Sequence, residues 1–323
     1  METLSPEVIR DLRQDRATRE RKLAVCSGGA HLSPADRAEI LVVLANDPDE
    51  MVATRAQEAL VSLSHEAFVA AVKLEGTLPA VFAYAAENYA DKPGIAEALL
   101  LNRNCPASCL VHIVPHLSVA QLHDLADDLE RLSDSLALVQ ALENSASVTV
   151  EQKSVLRGLQ GPGEPLDHAA LEEAAAAAEP DAGKRQTLLQ RLAKMNVAER
   201  VKFAVKGGAD ARRTLIRDSN KVVQRAVLQS PKLTDQEVES FAAMATLTDE
   251  ILRLIANNRK FRKNYSVIRN LLNNSKTPLD VSLHLLPAIN AMDLKKLTSN
   301  KNVPETLRTT ALKLQRTRAE FKK

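Results

Sequence analysis

The sequence predicts an all-α protein, an α-solenoid of short stacked helices in two blocks joined by a linker. Three observations carry that expectation. Helix-starting devices recur at short intervals, the apolar residues between them follow helical spacing, and the carboxyl-terminal half repeats itself at a period near 40 residues. Hydrophobic residues make up 45% and charged residues 26% of the 323, the balance of a folded chain long enough for two domains. Aromatics are 3%, with no Trp, so the core is expected from Leu, Ala, Val and Ile on closely packed helices, which disfavours an all-β fold.

The helix starts follow in chain order. Ser5-Pro6-Glu7 and Ser33-Pro34-Ala35-Asp36 each place a capping hydroxyl before a Pro at the first helical position, with an acid in the first turn. The one β-like run, Val148-Thr149-Val150, reads more economically as a helix start. Gly207-Gly208 reads as a helix stop after Val201 to Lys206, because no strand precedes it and no Gly-Lys-Ser/Thr follows. Thr234-Asp235-Gln236-Glu237 is a capping box, and Thr277-Pro278 and Val303-Pro304-Glu305 repeat the Pro start. Between these starts the spacing is helical, as in Ile251, Leu252, Leu254 and Ile255, or Val281, Leu283, Leu285 and Leu286.

The stretch Gly161-Pro162-Gly163-Glu164-Pro165, the alanines at 174–178 and Pro180 form a low-complexity segment with almost no large apolar residue to bury. A solvated linker is expected there. The domains expected are an acidic helical-repeat block at 1–160, an acidic Ala/Pro-rich linker at 161–184 and a basic helical-repeat block at 185–323.

In the basic block, Thr214-Leu215-Ile216-Arg217-Asp218-Ser219-Asn220-Lys221 aligns with Arg253-Leu254-Ile255-Ala256-Asn257-Asn258-Arg259-Lys260, 39 residues on. Lys296-Leu297-Thr298-Ser299-Asn300-Lys301 is a weaker third copy. A second series pairs Leu228-Gln229-Ser230-Pro231-Lys232-Leu233 with Leu272-Asn273-Asn274-Ser275-Lys276-Thr277, offset by 44. An aliphatic pair ends one helix, and Asn, Asp or Ser closes it and caps the next. Looser copies occur in the acidic block at Leu44-Ala45-Asn46-Asp47-Pro48, Leu101-Asn102-Arg103-Asn104-Cys105-Pro106 and Leu142-Glu143-Asn144-Ser145. Units that hide their apolar faces only against neighbours are expected to stack.

This pattern of apolar pair, Asn or Ser turn, Pro or Thr, and a further aliphatic helix resembles the HEAT-like and variant leucine-rich helical solenoids of bacterial proteins. It covers residues 196–318 and, in looser form, 32–160. The resemblance implies a right-handed stack that serves as a binding surface, since few such solenoids are enzymes. Those that are, such as the HEAT-like DNA glycosylases, depend on aromatic side chains around the lesion, and this chain, with no Trp, departs from that pattern.

Charge divides the chain. Residues 1–160 carry 14 Lys+Arg against 23 Asp+Glu, residues 161–184 carry 1 against 6, and residues 185–323 carry 28 against 12. The nets of −9, −5 and +16 reproduce the overall +2. Such a block attracts acidic proteins and other polyanions. Lys221, Lys232, Arg259, Lys260, Lys276 and Lys301 all fall in the Asn/Ser turns just ahead of a helix, where free backbone N–H groups and the helix dipole favour anions. Two readings stand: a row of phosphate sites that follows a nucleic-acid backbone, or exposed turns in which Lys is simply solvated. The cluster Arg259-Lys260-Phe261-Arg262-Lys263-Asn264-Tyr265 adds Arg262 and Lys263 and two aromatics, which either stack bases or anchor the next helix in the core.

Cys105, Cys109, His112 and His116 are the one group resembling metal ligands. Offsets of 4, 7 and 11 along a single helix spread them over about 16 Å, too far to surround one ion. No metal, cofactor or catalytic constellation is expected, and Arg131-Leu132-Ser133-Asp134 reads as a surface helix turn. The amino terminus lacks a basic start and apolar run, no stretch reaches eighteen apolar residues, and three cysteines form no disulfide framework. The expectation is a cytoplasmic, non-enzymatic scaffold or adaptor whose basic block docks on an acidic protein or other anionic surface. Nucleic-acid binding through the Lys turns is the alternative, and head-to-tail self-association between the oppositely charged blocks is a third possibility.

Overall fold

A computed structural model describes residues 6–14, 16–28, 32–160, 188, 190–192 and 194–320. Among these residues every regular element is helical and no strand occurs. Ser5 and the expected linker at 161–184 lie outside them. None of the described helices is long and apolar enough to cross a membrane. The chain packs as two units, Met1–Leu156 and Arg157–Lys323.

The first unit runs through α1 (Pro6–Arg13), α2 (Arg19–Cys26), α3 (Pro34–Leu44), α4 (Glu50–Val61), α5 (His65–Val72), α6 (Pro79–Tyr89), α7 (Ile95–Leu101) and α8 (Ala107–Ile113). A 3-10 turn at Val114–His116 leads to α9 (Val119–Asp127), α10 (Leu129–Asp134) and α11 (Leu136–Asn144), and α12 (Val150–Gln160) follows. The second unit contains α13 (Val197–Lys206), α14 (Ala209–Leu215), α15 (Lys221–Gln229), α16 (Asp235–Ala243), α17 (Asp249–Asn257) and α18 (Tyr265–Asn273). It ends with α19 (Leu279–Leu285), α20 (Ala291–Thr298) and α21 (Glu305–Glu320).

Most of the sequence-level starts operate as helix caps. The Ser33 hydroxyl accepts from the Asp36 amide at 3.1 Å, and Thr234 and Glu237 exchange the two bonds of a capping box. Thr149 and Gln152 make the same exchange, so Val148 to Val150 does open a helix. Pro278 and Pro304 differ from the expectation. They stand just before the first helical residues, Leu279 and Glu305, and the turns ahead of them are closed by Asn274 and Asn300. Gly207 ends α13, and a Cβ there would lie 2.4 Å from the Phe203 carbonyl oxygen, so only glycine fits.

Close packing joins helices two places apart, α3 with α5, α2 with α4, α5 with α7, α6 with α8, α13 with α15, and α16 with α18, and also neighbours such as α3 with α4 and α5 with α6. The last pair, α20 and α21, pack directly on each other. The core is Leu, Ala, Val and Ile, with Phe68 at 5.3 Å from Tyr84 and 4.9 Å from Tyr89 as its one aromatic cluster among the described residues.

The second unit restates part of the first at a fixed offset of 172 residues. Asn102, Pro106, His112 and Pro115 match Asn274, Pro278, His284 and Pro287. The elements match too: α8 (107–113), the 3-10 turn (114–116) and the start of α9 at 119 recur as α19 (279–285), a 3-10 turn (286–288) and the start of α20 at 291. The hydrogen bonds recur with them. Asn102 Nδ2 donates to the carbonyls of Val72 at 2.5 Å and Leu74 at 3.1 Å, while its Oδ1 accepts from the Asn104 amide at 2.9 Å. Asn274 Nδ2 donates to the carbonyls of Ala242 and Met244, both at 3.0 Å, and its Oδ1 accepts from the Lys276 amide at 3.0 Å. One side chain thus closes its own turn and satisfies the carbonyl end of an earlier helix.

A buried cation and Asp form the second shared feature. Lys22 reaches Asp47 at 2.6 Å, and Arg200 reaches both oxygens of Asp218 at 2.7 and 2.9 Å, with the Arg200 and Asp218 side chains 2% and 0% exposed. Each Asp also accepts the amide two residues on, from Asp49 and Asn220. Burial raises the Asp218 pKa, against the opposing pull of the Asn220 amide and Arg200.

Asn274→Ala removes three hydrogen bonds, two of them to backbone carbonyls, and is expected to lower stability by about 2–4 kcal/mol in urea unfolding. Asn274→Asp keeps the turn but cannot donate, so it should lose most of the same amount. Full stability of the Asp variant would refute the reach to Ala242 and Met244 as a stabilising contact.

Candidate anion-binding turns

Six acidic side chains of the second unit, Asp218, Glu237, Glu239, Glu250, Asp280 and Asp293, take part in ion pairs. Glu237 receives both Arg212 nitrogens at 3.0 Å, and this pair is buried. Glu250 binds Arg225 at 2.6 Å and Lys221 at 2.9 Å. Asp280 pairs with Arg253, and Asp293 accepts from the Tyr265 hydroxyl at 2.6 Å. Burial pushes the Glu237 and Glu250 carboxyls up. Hydrogen bonds outweigh it, from Arg212 and Thr234 on Glu237 and from Lys221 and Arg225 on Glu250, and hold both below the ordinary 4.5.

The eight basic residues singled out by sequence fall into two sets. Ion pairs and hydrogen bonds tie four turns into one row: Lys221 to Glu250, Asn274 to Met244, and Asn300 Nδ2 to Asn273 Oδ1 at 2.9 Å. Lys221, Lys276 and Lys301 belong to that row. Lys232 and the cluster Arg259, Lys260, Arg262 and Lys263 lie in the turns after α15 and α17, at the other ends of the helices that the row begins. The turn of Lys232 is tied to the end of α13, where Ser230 donates to Val205 O at 2.7 Å and Lys232 Nζ to Lys206 O at 3.2 Å. The 39-residue offset therefore aligns Lys221 and Lys260, which stand in turns of different rows.

Availability differs as well. Lys221 is held by Glu250, and Lys232 by a backbone carbonyl. Arg259, Lys260 and Lys263 are exposed and Arg262 half-buried, and among the described residues no carboxylate lies within ion-pair distance of any of the four. Of the two aromatics of this cluster, Phe261 is buried at 6% exposed, whereas Tyr265 is half-buried and its hydroxyl also accepts from the Asn290 amide at 3.2 Å. Phe261 offers no stacking surface.

The candidate metal ligands are not on one helix. Cys105 precedes Pro106, the cap of α8; Cys109 and His112 lie within α8; His116 lies in the 3-10 turn made by Pro115. Among the described residues no group of three His, Cys, Asp or Glu is placed to hold a metal ion.

The 172-residue offset, legible in the spacing Asn-x3-Pro-x5-His-x2-Pro, adds a test of what these charges do for folding. Arg259, Lys263, Arg269 and Lys296 match Glu87, Asp91, Glu97 and Asp124 in the first unit. The same frame accepts either sign, so the basic charge is not a requirement of packing. No family model, curated protein or solved structure matches the chain.

Because the folded-state pKa values of Glu237 and Glu250 are depressed, their stabilisation is present above pH 4.5 and is lost as pH falls through the folded-state values. Urea midpoints measured from pH 6 down to pH 3 are expected to fall, and Glu237→Gln should show a shallower fall than the parent. An identical slope in the variant would remove the Arg212 pair as a source of acid sensitivity.

Proposed function

We propose that the chain is a non-enzymatic adaptor of the cytoplasm, built as two HEAT-like solenoid blocks, whose basic block docks on an acidic protein. The observation that carries this reading is the group Arg259, Lys260, Arg262 and Lys263, four cations in one turn without a carboxylate partner among the described residues. Their surroundings support it, because several of the unit's acids are already paired with other cations and residues 185–323 carry a net +16. The packing of helices two places apart supports a stacked-repeat construction.

A track along a nucleic-acid backbone draws less support. The Lys turns divide between two rows, and of the two aromatics that would stack bases Phe261 is buried and Tyr265 is tied through its hydroxyl to Asp293. An acidic protein surface asks only for a compact cationic patch with complementary charge.

The test uses the full chain on immobilised polyglutamate and, separately, on single- and double-stranded DNA, over a salt series. Arg259→Glu, Lys260→Glu, Arg262→Glu and Lys263→Glu together change the formal charge from +2 by −8. Elution from polyglutamate is expected to move to markedly lower salt in this variant, with unchanged helical circular dichroism. Retention on DNA well above that on polyglutamate, falling steeply with salt, would favour the nucleic-acid reading. Unchanged polyglutamate elution would sink the docking patch.

A further inference from the structure

The charges of the two units are related position by position. Over residues 79–134 of the first unit, four positions carry a formal charge in both units when the 172-residue offset is applied, and all four invert. They are the pairs named above, from Glu87 with Arg259 to Asp124 with Lys296. No matched pair in that stretch has the same sign, so the two surfaces nowhere repel each other at corresponding positions.

Both surfaces are open to a partner. Glu87, Asp91, Glu97 and Asp124 are exposed, as are Arg259 and Lys263. Among the described residues no cation lies within ion-pair distance of Glu87, Glu97 or Asp124, and Asp91 meets only its neighbour Lys92, at 3.0 Å. The placement along the chain corresponds as well. Asp91 stands two residues past the end of α6, with Glu87 in the last turn of that helix. Arg259 stands two residues past the end of α17, and Lys263 ends the 3-10 turn that follows.

We infer that the acidic partner of the docking patch is a second copy of this chain, with Arg259 and Lys263 of one copy seated against Glu87 and Asp91 in the first unit of the next. The inference rests on the docking function proposed above and names its partner. Charge complementarity selects this occupant: acids and cations stand four residues apart on either side, and each side carries one sign, so opposite charges meet in either direction of approach. The contact is heterologous, and each copy brings one acidic face and one cationic patch, so two copies close into a dimer or several join in a row. Exposed charges make it weak and salt-sensitive, since screening shortens from about 10 Å at 0.1 M salt to about 3 Å at 1 M.

The full chain is followed by sedimentation over a wide range of protein concentration, in low and in high salt. Its mean mass is expected to rise with concentration in low salt and to return to that of one chain in high salt. Two exchanges move side chains between the units: Arg259→Glu with Lys263→Asp, and Glu87→Arg with Asp91→Lys. Either exchange alone sets like charges against each other and should weaken self-association at least about ten-fold. A mixture of the two variants should associate again, as should the chain carrying both exchanges, whose formal charge stays at +2. Circular dichroism should be unchanged throughout, because all four positions are exposed. A chain that sediments as one copy at every concentration, although Arg259→Glu with Lys263→Asp lowers its elution salt on polyglutamate, would overturn the second-copy partner and leave the docking patch standing. Elution unmoved by that exchange would sink the patch itself. Self-association indifferent to Glu87→Arg with Asp91→Lys, or no recovery in the mixture, would also overturn the inference.

Discussion

Short helices leave much of their backbone unpaired at the ends, and that constraint organises this molecule. An element such as α7, α8 or α19, seven residues long, has four carbonyls at one terminus and four amides at the other without partners inside the helix. Asn102 and Asn274 answer this by acting in both directions. The side-chain oxygen closes the local turn, and the amide group saturates carbonyls at the end of an earlier helix. Arg131 does similar work with a charged fork, donating to the carbonyls of Leu100 and Asn102, and Arg318 does so for Pro287 and Ile289. Stability and spacing of the array therefore share one source: the side chain that pairs the turn also sets how far it lies from its neighbour.

How much of this could be read from sequence depends on the reach of each interaction. Caps act over three residues, so Ser33, Thr149 and Thr234 announce their helices directly, as does the stop at Gly207. Asn274 is equally visible as a turn residue, but its carbonyl partners lie 32 and 30 positions away, and nothing local specifies them. Tight turns of either row use the same Asn, Asp and Ser chemistry. That is why an alignment of turns at 39 residues joins Asp218-Ser219 with Asn257-Asn258, and why the basic residues look like a single file in the sequence but divide in space. The buried pairs of Arg200 with Asp218 and Arg212 with Glu237 were illegible for another reason, since each looks like an ordinary surface charge until both partners are placed.

The likeness between the two units separates what the scaffold needs from what it carries. Asn, Pro, His and Pro persist at matching positions together with the helix and 3-10 turn they frame. Charge does not persist: four cations of the second unit meet four acids of the first. Nor do the sulfurs of Cys105 and Cys109, which meet Thr277 and Val281. Features that vary on a constant frame are free of packing demands, and it is on those that the docking patch rests.

The reach of the Asn side chains also bears on how the polypeptide is made. Each links groups only about thirty positions apart, and the packing of helices two places apart spans a similar distance. Few distant segments must meet before something useful is buried, which keeps contact order low and favours fast assembly. A chain emerging from the ribosome amino terminus first can thus secure each helix as soon as the next two have been synthesised, and an early portion need not wait for the last residues to find its place.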